Sequence, residues 1–276
     1  MSATWLITGC STGIGREIAI AALQAGNRVA VTARKPGDVA DIVERFGDRA
    51  KAIALDVSRP ESVRDALEVT REWAGNVEVL VNNAGYGYIS SIEEGSEDKV
   101  KDLFEVNFFG ALRLIQAVLP AMRAARSGRI INISSLAGRI SNSATGFYSS
   151  SKFAMEAMSE ALAREVESLG IRVTALAPGM FRSDFSGRSL TTGDASIEDY
   201  RDGVHARMEL VKSVDGRQAG DPAKLAEMVV KLAEMAAPPL QLIAGPDALA
   251  AITARMAEKQ ASMEQFSEWS SSTNFD

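Results

Sequence analysis

The stretch from Trp5 to Gly26 constrains the fold more than any other. Trp5-Leu6-Ile7-Thr8 is a short apolar run, Gly9-Cys10-Ser11-Thr12-Gly13-Ile14-Gly15 follows it, and apolar residues then recur at helical spacing through Ile18, Ala22 and Leu23 to Gly26. Strand, glycine turn and helix open a βαβ unit, which implies a parallel sheet with helices on its faces. Each glycine then has a task. Gly9 permits the tight turn, Gly13 lets backbone approach a diphosphate, and Gly15 lets the helix sit close on the strand with its N-terminus facing the anion. The intervals of four and two depart from the ordinary dinucleotide fingerprint, so a turn that binds nothing stays open from this motif alone. Cys10 reads as a small packed side chain rather than a reactive thiol.

Arg28 to Ala33 is a second strand, ending Thr32-Ala33-Arg34-Lys35. An acid at this strand end would accept from a ribose 2′-hydroxyl, whereas a cation suits a 2′-phosphate. Ala33 offers no acid and Arg34 offers a guanidinium fork, which favours NADP(H) over NAD(H); solvated loop charges are the other reading. The pattern then repeats. A weak helix spans Asp38 to Phe46, a third strand Lys51 to Leu55 ends at Asp56-Val57, and a helix opened by Pro60 runs to about Trp73. Val77 to Val81 is a buried strand ending Asn82-Asn83-Ala84-Gly85, and Ser96 to Arg126 reads as two successive helices. Asn107 lies among Val106, Phe108 and Phe109, where an interior amide satisfied by backbone is the plain reading.

Arg129-Ile-Ile-Asn-Ile-Ser-Ser is a strand ending in paired hydroxyls, Ser134 and Ser135, and Phe147-Tyr148-Ser-Ser-Ser-Lys152 begins a helix that runs to Leu169. Tyr148 and Lys152 are four apart, so they share one helical face. An ammonium there favours phenolate and draws the Tyr148 pKa down toward neutrality. Ala154, Ala157 and Ala161 form a small-residue side on this helix, suited to a subunit contact or to internal packing. Ile171 to Leu176 is the sixth strand, closed by Pro178-Gly179. Met180 to Gly220 then loses periodicity and is expected to be a lid whose apolar members cover an apolar ligand. A helix from Asp221-Pro222 to about Met235, a last strand Leu240 to Ala244 and a helix from Pro246 to about Trp269 complete the chain. Phe266, Trp269 and Phe275 either fold over a pocket, this protomer's or a neighbour's, or fray.

The 276 residues thus form one doubly wound α/β domain of about seven parallel strands, with a lid near 180–220, a C-terminal extension near 246–276, and the ligand crevice at the strands' carboxyl ends. A net charge of −6 with scattered basic residues argues against nucleic acid and anionic membrane. No run of about 18 apolar residues is expected to cross a bilayer, and a strand at Thr4–Thr8 leaves no room for a signal peptide's basic segment. One cysteine fits a reducing, cytoplasmic setting, and one histidine, His205, argues against a His-rich metal site or a His-dependent triad.

These motifs resemble the short-chain dehydrogenase/reductase family over nearly the whole chain. Thr8 to Gly15, with Ser11, Thr12 and Ile14, matches its cofactor turn, and Asn82-Asn83-Ala84-Gly85 its fourth-strand motif. Asn107, Ser135, Tyr148 and Lys152 fall at its catalytic tetrad; Ser135, not Ser134, precedes Tyr148 by the family's thirteen positions. The resemblance implies that Ser135 holds a carbonyl oxygen, Tyr148 donates the proton, Lys152 binds the nicotinamide ribose and lowers the Tyr148 pKa, and Asn107 orders a relay water. It places Asp56 at the adenine amino group, with a turn cap as the alternative, and Val57 beside it. Pro178-Gly179 would sit by the nicotinamide, and Ser183 takes the place of a threonine that binds its carboxamide. Thr12 departs from members with a cation before the middle glycine, which leaves the NADP(H) preference on Ala33 and Arg34. The implied activity is a carbonyl reductase or secondary alcohol dehydrogenase for an apolar substrate, most like the hydroxysteroid and retinol dehydrogenase branch, in a homodimer or homotetramer. A 3-ketoacyl-carrier-protein reductase and a non-catalytic NADP(H) sensor are the alternatives; the chain beyond Gly245 argues against the first and the complete tetrad against the second.

Overall fold

The computed structural model describes residues 2–185, 187–214 and 216–275; Ser186 and Asp215 of the lid stretch and Asp276 of the tail lie outside them. The chain runs β1 (Thr4–Ile7), α1 (Gly13–Gln24), β2 (Arg28–Ala33), α2 (Ala40–Phe46), β3 (Ala50–Ala54), α3 (Pro60–Ala74) and β4 (Val79–Asn82). It continues through β5 (Gly87–Ile89), α4 (Glu97–Phe104), α5 (Gly110–Ala125), β6 (Gly128–Ile133), α6 (Gly146–Val166) and β7 (Ile171–Pro178). Then come β8 (Leu190–Thr192), α7 (Ala206–Ser213), α8 (Pro222–Glu234), β9 (Gln241–Ala244), α9 (Pro246–Gln265) and α10 (Ser267–Ser271).

Seven strands form one sheet in the order β3-β2-β1-β4-β6-β7-β9, every neighbouring pair parallel. Both faces are covered, as buried parallel strands require. Alternation along each strand divides the core. Trp5, Ile7, Val29 and Val31 face Ile18 and Leu23 of α1, Ile42 of α2 and Leu225 and Val229 of α8. Leu6, Ala30 and Leu80 face Val63 of α3, Leu114 and Val118 of α5 and Leu162 of α6. The strand order reverses between β1 and β4, and the crevice at that switch point receives the loops after both.

Three expectations need correction. The stretch from Ser96 is one continuous helical run, Glu97–Ala125, because a π-turn at Glu105–Phe109 joins α4 to α5 without a break. That run is long and apolar enough by composition to cross a bilayer. Leu114, Ile115, Val118 and Met122 spend this apolar character on the core. The apolar members of the 180–220 stretch, expected to cover a ligand, are largely engaged elsewhere. In it β8 pairs in parallel with β5, a two-stranded sheet outside the main one, and Leu190, Val204, Met208 and Val211 pack on Ile89 and Ala144. Those apolar side chains therefore bury one another, and Phe181 joins the main core instead. Finally, Phe266, Trp269 and Phe275 are all exposed, so the tail does not close over this protomer's own crevice.

Candidate active site

The glycine turn and the loop after β4 are stitched together by one hydroxyl. Thr8 Oγ1 accepts from the backbone N–H groups of Asn83 (2.9 Å) and Ala84 (2.8 Å), while Asn83 Nδ2 donates to the carbonyls of Thr8 (2.8 Å) and Gly9 (3.2 Å). A Cβ on Gly15 would stand 2.2 Å from Asn83 Nδ2 and 2.4 Å from the Gly9 carbonyl, so only glycine lets α1 begin this close to the strand. Gly9 and Gly13 have φ of +71° and +60°, a region other residues rarely adopt. Ser11, Thr12 and Ile14 are half-buried along the turn. The result is a backbone cradle at a helix N-terminus, which fits a dinucleotide diphosphate. Cys10 is fully packed, its thiol pushed up to about 12 by burial.

The segment after β7 lies across this cradle. The Ser183 Cβ is 3.2 Å from where a Gly13 Cβ would be, and Arg188 Nη2 donates to Thr12 Oγ1 at 2.8 Å. Arg188 carries no sequence signal that would single it out among the loop charges. Gly179 is pinned by its N–H to the Ala244 carbonyl (2.8 Å), directly after Pro178 ends the strand.

At the far side of the crevice Arg34 is exposed at the end of β2. Asp56 caps its own turn, its Oδ1 accepting from the Ser58 N–H (3.0 Å) and hydroxyl (2.6 Å). Val57 packs on the start of α5, where a Cβ on Gly110 would be 2.7 Å from its Cγ2.

The four tetrad residues come from three elements and meet at the carboxyl ends of β4 and β6. Asn107 sits in the π-turn, fully buried; its Oδ1 accepts from the Tyr86 N–H (3.0 Å), and its Nδ2 donates to the Tyr86 carbonyl (2.9 Å) and Ser151 Oγ (3.1 Å). The side chain is thus an interior amide satisfied by its surroundings, the plain reading. Ser135 ends the β6 strand loop, and its Oγ accepts from the Ala137 N–H at 3.0 Å. Lys152 Nζ donates to the Ile133 carbonyl at 2.9 Å. A Cβ on Gly85 would stand 3.5 Å from that ammonium and 3.0 Å from Asn107 Oδ1, so the glycine keeps open the space beside both. Beneath them Asn82 Nδ2 donates to Asn132 Oδ1 and Asn132 Nδ2 to Ser159 Oγ, each at 2.8 Å, a buried ladder from β4 through β6 to α6.

Electrostatics differ from the sequence-based expectation. Burial pushes the Tyr148 phenol up to about 12, with the Ser135 hydroxyl pulling the other way. Burial brings Lys152 down to about 8, opposed by the Glu156 carboxylate. Desolvation therefore outweighs any pull of the ammonium on the phenol, because both groups are taken out of water. The site holds a protonated phenol and an amine that titrates near neutrality. Phe185 covers the Tyr148 ring at 5.2 Å, and Tyr86, Phe147 and Ala137 pack around the same cluster. Among the described residues no three His, Cys, Asp or Glu side chains converge to hold a metal ion.

The sequence profile of the short chain dehydrogenases matches residues 3–192. The chain is 39% identical over 250 residues to the oxidoreductase BOA17 of Botryotinia fuckeliana, covering 90% of this chain and 91% of that protein. It is 37% identical to the 3-ketodihydrosphingosine reductase of Bacteroides thetaiotaomicron, covering 87% of each. The crystal structure of a short-chain dehydrogenase from Streptomyces avermitilis superposes with a TM-score of 0.94 at 38% identity, covering 100% of both chains. The β1 cradle, the Asn-Asn-Ala-Gly loop and the Ser135, Tyr148 and Lys152 constellation are set in a chain that belongs to the short-chain dehydrogenase/reductase family of oxidoreductases.

Proposed function

We propose that the protein is an NADP(H)-dependent carbonyl reductase or secondary alcohol dehydrogenase acting on a largely apolar ketone or alcohol. The observation that carries this reading is the convergence of Ser135, Tyr148 and Lys152 at the open side of the glycine cradle. When bound there, the nicotinamide cofactor supplies or accepts the hydride. The chain's own residues do the rest. Ser135 Oγ orients the substrate oxygen, and Tyr148, held protonated by burial, gives that oxygen its proton in the reductive direction. Lys152, beside the gap at Gly85, binds the ribose and returns the proton. Asn107 fixes the Tyr86 backbone and the Ser151 hydroxyl, which itself donates to the Tyr148 carbonyl at 2.8 Å, and thereby sets the helix that carries the phenol.

Gly9 to Gly15 would hold the diphosphate, Asn83 to Gly85 the adjoining ribose side, and Pro178, Gly179 and Ser183 the nicotinamide. Ala33 followed by exposed Arg34 supports a 2′-phosphate and so NADP(H). The aromatic side chains around Tyr148 support an apolar substrate, as does similarity to a protein named for reducing 3-ketodihydrosphingosine. Exposed Phe109 and Phe153, with exposed Ala157 and Ala161 on the same helix as Phe153, support a homodimer or homotetramer through α5 and α6, which light scattering would report. A cytoplasmic setting accords with the single thiol. Oxidation of NADPH against ketones from small and polar to steroid-sized, with NADH in parallel, tests the activity. Turnover with NADPH supports the reading; binding without turnover across the panel moves it to a sensor.

A further inference from the structure

One buried charged pair next to the site has no part in the chemistry above. Glu156 lies on α6 one turn beyond Lys152, as Lys152 lies one turn beyond Tyr148, and all three are buried. Arg139 immediately follows the short turn Leu136–Gly138 that begins at Ser135. Its Nη2 stands 2.9 Å from Glu156 Oε2, with the two side chains only 17% and 7% exposed. The other arm of the fork, Nη1, donates to Gln241 Oε1 on β9 at 2.8 Å.

We propose that Glu156, held by Arg139, is a positioning residue of the active site: the pair clamps the Ser135 loop to the face of α6 that carries Tyr148 and Lys152 and sets a carboxylate one helical turn from the Lys152 ammonium. The inference rests on the reductase reading.

Three observations carry it. The loop is pressed onto Glu156, since a Cβ on Gly138 would stand 3.2 Å from Glu156 Cγ and 2.5 Å from Ser134 Oγ. Neither Glu156 carboxylate oxygen has a hydrogen-bond partner among the described residues, so the pair meets as charges rather than as aligned donor and acceptor. Replacing a buried ion pair by apolar residues of the same volume is often neutral or stabilising, so stability is a weak account of this one. Lastly, among the described residues Glu156 is the only carboxylate acting on Lys152. Also beside the ammonium are the neutral Asn107 amide from the π-turn, Gly85 from the β4 loop and the Ile133 carbonyl from β6; the Tyr148 phenol lies one turn back on α6, and Arg139 stands beyond Glu156. Without that charge, burial alone governs Lys152.

The test compares wild type with Glu156→Gln, Glu156→Asp and Arg139→Lys in the full chain, reading NADPH affinity, kcat and the pH profile of kcat for ketone reduction. Glu156→Gln is expected to lose at least about tenfold in kcat. NADPH affinity should stay within about twofold, and the alkaline limb should move down by about one pH unit as Lys152 loses its counter-charge. Glu156→Asp and Arg139→Lys, which keep the charges, should keep the limb. An unchanged Glu156→Gln profile overturns the inference, as does an equal kcat loss in Gln and Asp variants with the limb unmoved. If Glu156→Gln does not fold, a limb displaced in Glu156→Asp overturns it and a retained one supports it. Wild type with no turnover on any ketone fails the reductase reading instead, which separates the two failures.

Discussion

Lys152 Nζ donates to the carbonyl of Ile133 at 2.9 Å, so the ammonium is tied to the end of β6 while the Tyr148 phenol, one helical turn away, stands against Phe185. The two groups share a helix face, yet each is governed first by its own burial. Tyr148 is therefore held as the acid form, as its proposed role of proton donor requires. Replacing it with Phe removes that proton and leaves the cradle intact. Turnover should fall by at least about a hundredfold with NADPH affinity preserved; a variant keeping most of its rate would show that Tyr148 is not the proton donor.

The same burial makes the site a stability liability with a definite pH signature. Lys152 titrates near 8 in the folded chain against an ordinary 10.5, so between those values the unfolded chain binds the extra proton and stability rises with pH. Tyr148 titrates near 12 against 10, so above pH 10 the unfolded chain loses the proton first and stability falls again. At pH 7 the buried ammonium costs on the order of 3 kcal/mol. Lys152→Met should then abolish turnover while raising the urea midpoint at pH 7, and this gain should shrink as pH rises from 8 to 10. A destabilised Lys152→Met variant would mean that the Ile133 hydrogen bond outweighs desolvation.

The proposed NADP(H) preference rests on a strand end that the sequence displays in full. Ala33 closes β2 without an acid and Arg34 follows it, exposed. Ala33→Asp combined with Arg34→Gln introduces an acceptor for a ribose hydroxyl and removes the phosphate fork. The ratio of kcat/KM for NADPH over NADH should fall at least about tenfold, a shift of roughly 1.4 kcal/mol. An unmoved ratio would place the selectivity elsewhere, with Arg188 on Thr12 the first residue to replace.

Parallel strands were legible because they are buried on both faces and read as unbroken apolar runs; β2 matches its expected span, Arg28 to Ala33. Of the proposed tetrad, spacing alone places only Tyr148 and Lys152 on one helical face; the choice of Ser135 and Asn107 follows from the resemblance to the family. What was not legible depends on partners distant in sequence. Asn132 and Ser159 look like ordinary polar residues until β4, β6 and α6 bring them into line. The direction of the Tyr148 shift depends on how deeply the phenol is buried, and helical spacing carries no information on that. The short strands β5 and β8 have three residues each and stabilise only by pairing with one another, so neither shows a period of its own.

The attachment of the 190–213 segment was hidden for the same reason, and it yields the last prediction. Glu94 lies just past β5. Its Oε1 accepts from the backbone N–H groups of Ser196 (2.7 Å) and Ile197 (2.9 Å), and its Oε2 accepts from Ser91 Oγ (2.7 Å) and faces His205 Nε2 at 2.8 Å. One carboxylate thus fastens two separate points of the 190–213 segment to the body. The His205 contact, followed by the Ile197 N–H, holds the carboxyl at about 2, below its ordinary 4.5. A depressed carboxyl of this kind contributes stability above the ordinary value and loses it as pH falls through the folded one. The latch should therefore hold at neutral pH and release between about 4.5 and 2. Limited proteolysis within residues 190–213 should be slow in wild type at pH 7 and several-fold faster in Glu94→Gln, whose amide keeps the shape but not the charge for His205. Because β8 and the Leu190, Val204 and Met208 cluster would loosen with it, KM for bulky ketones should rise more than kcat falls. Equal cleavage rates in the two proteins would show that apolar packing alone, without the carboxylate, keeps the segment in place.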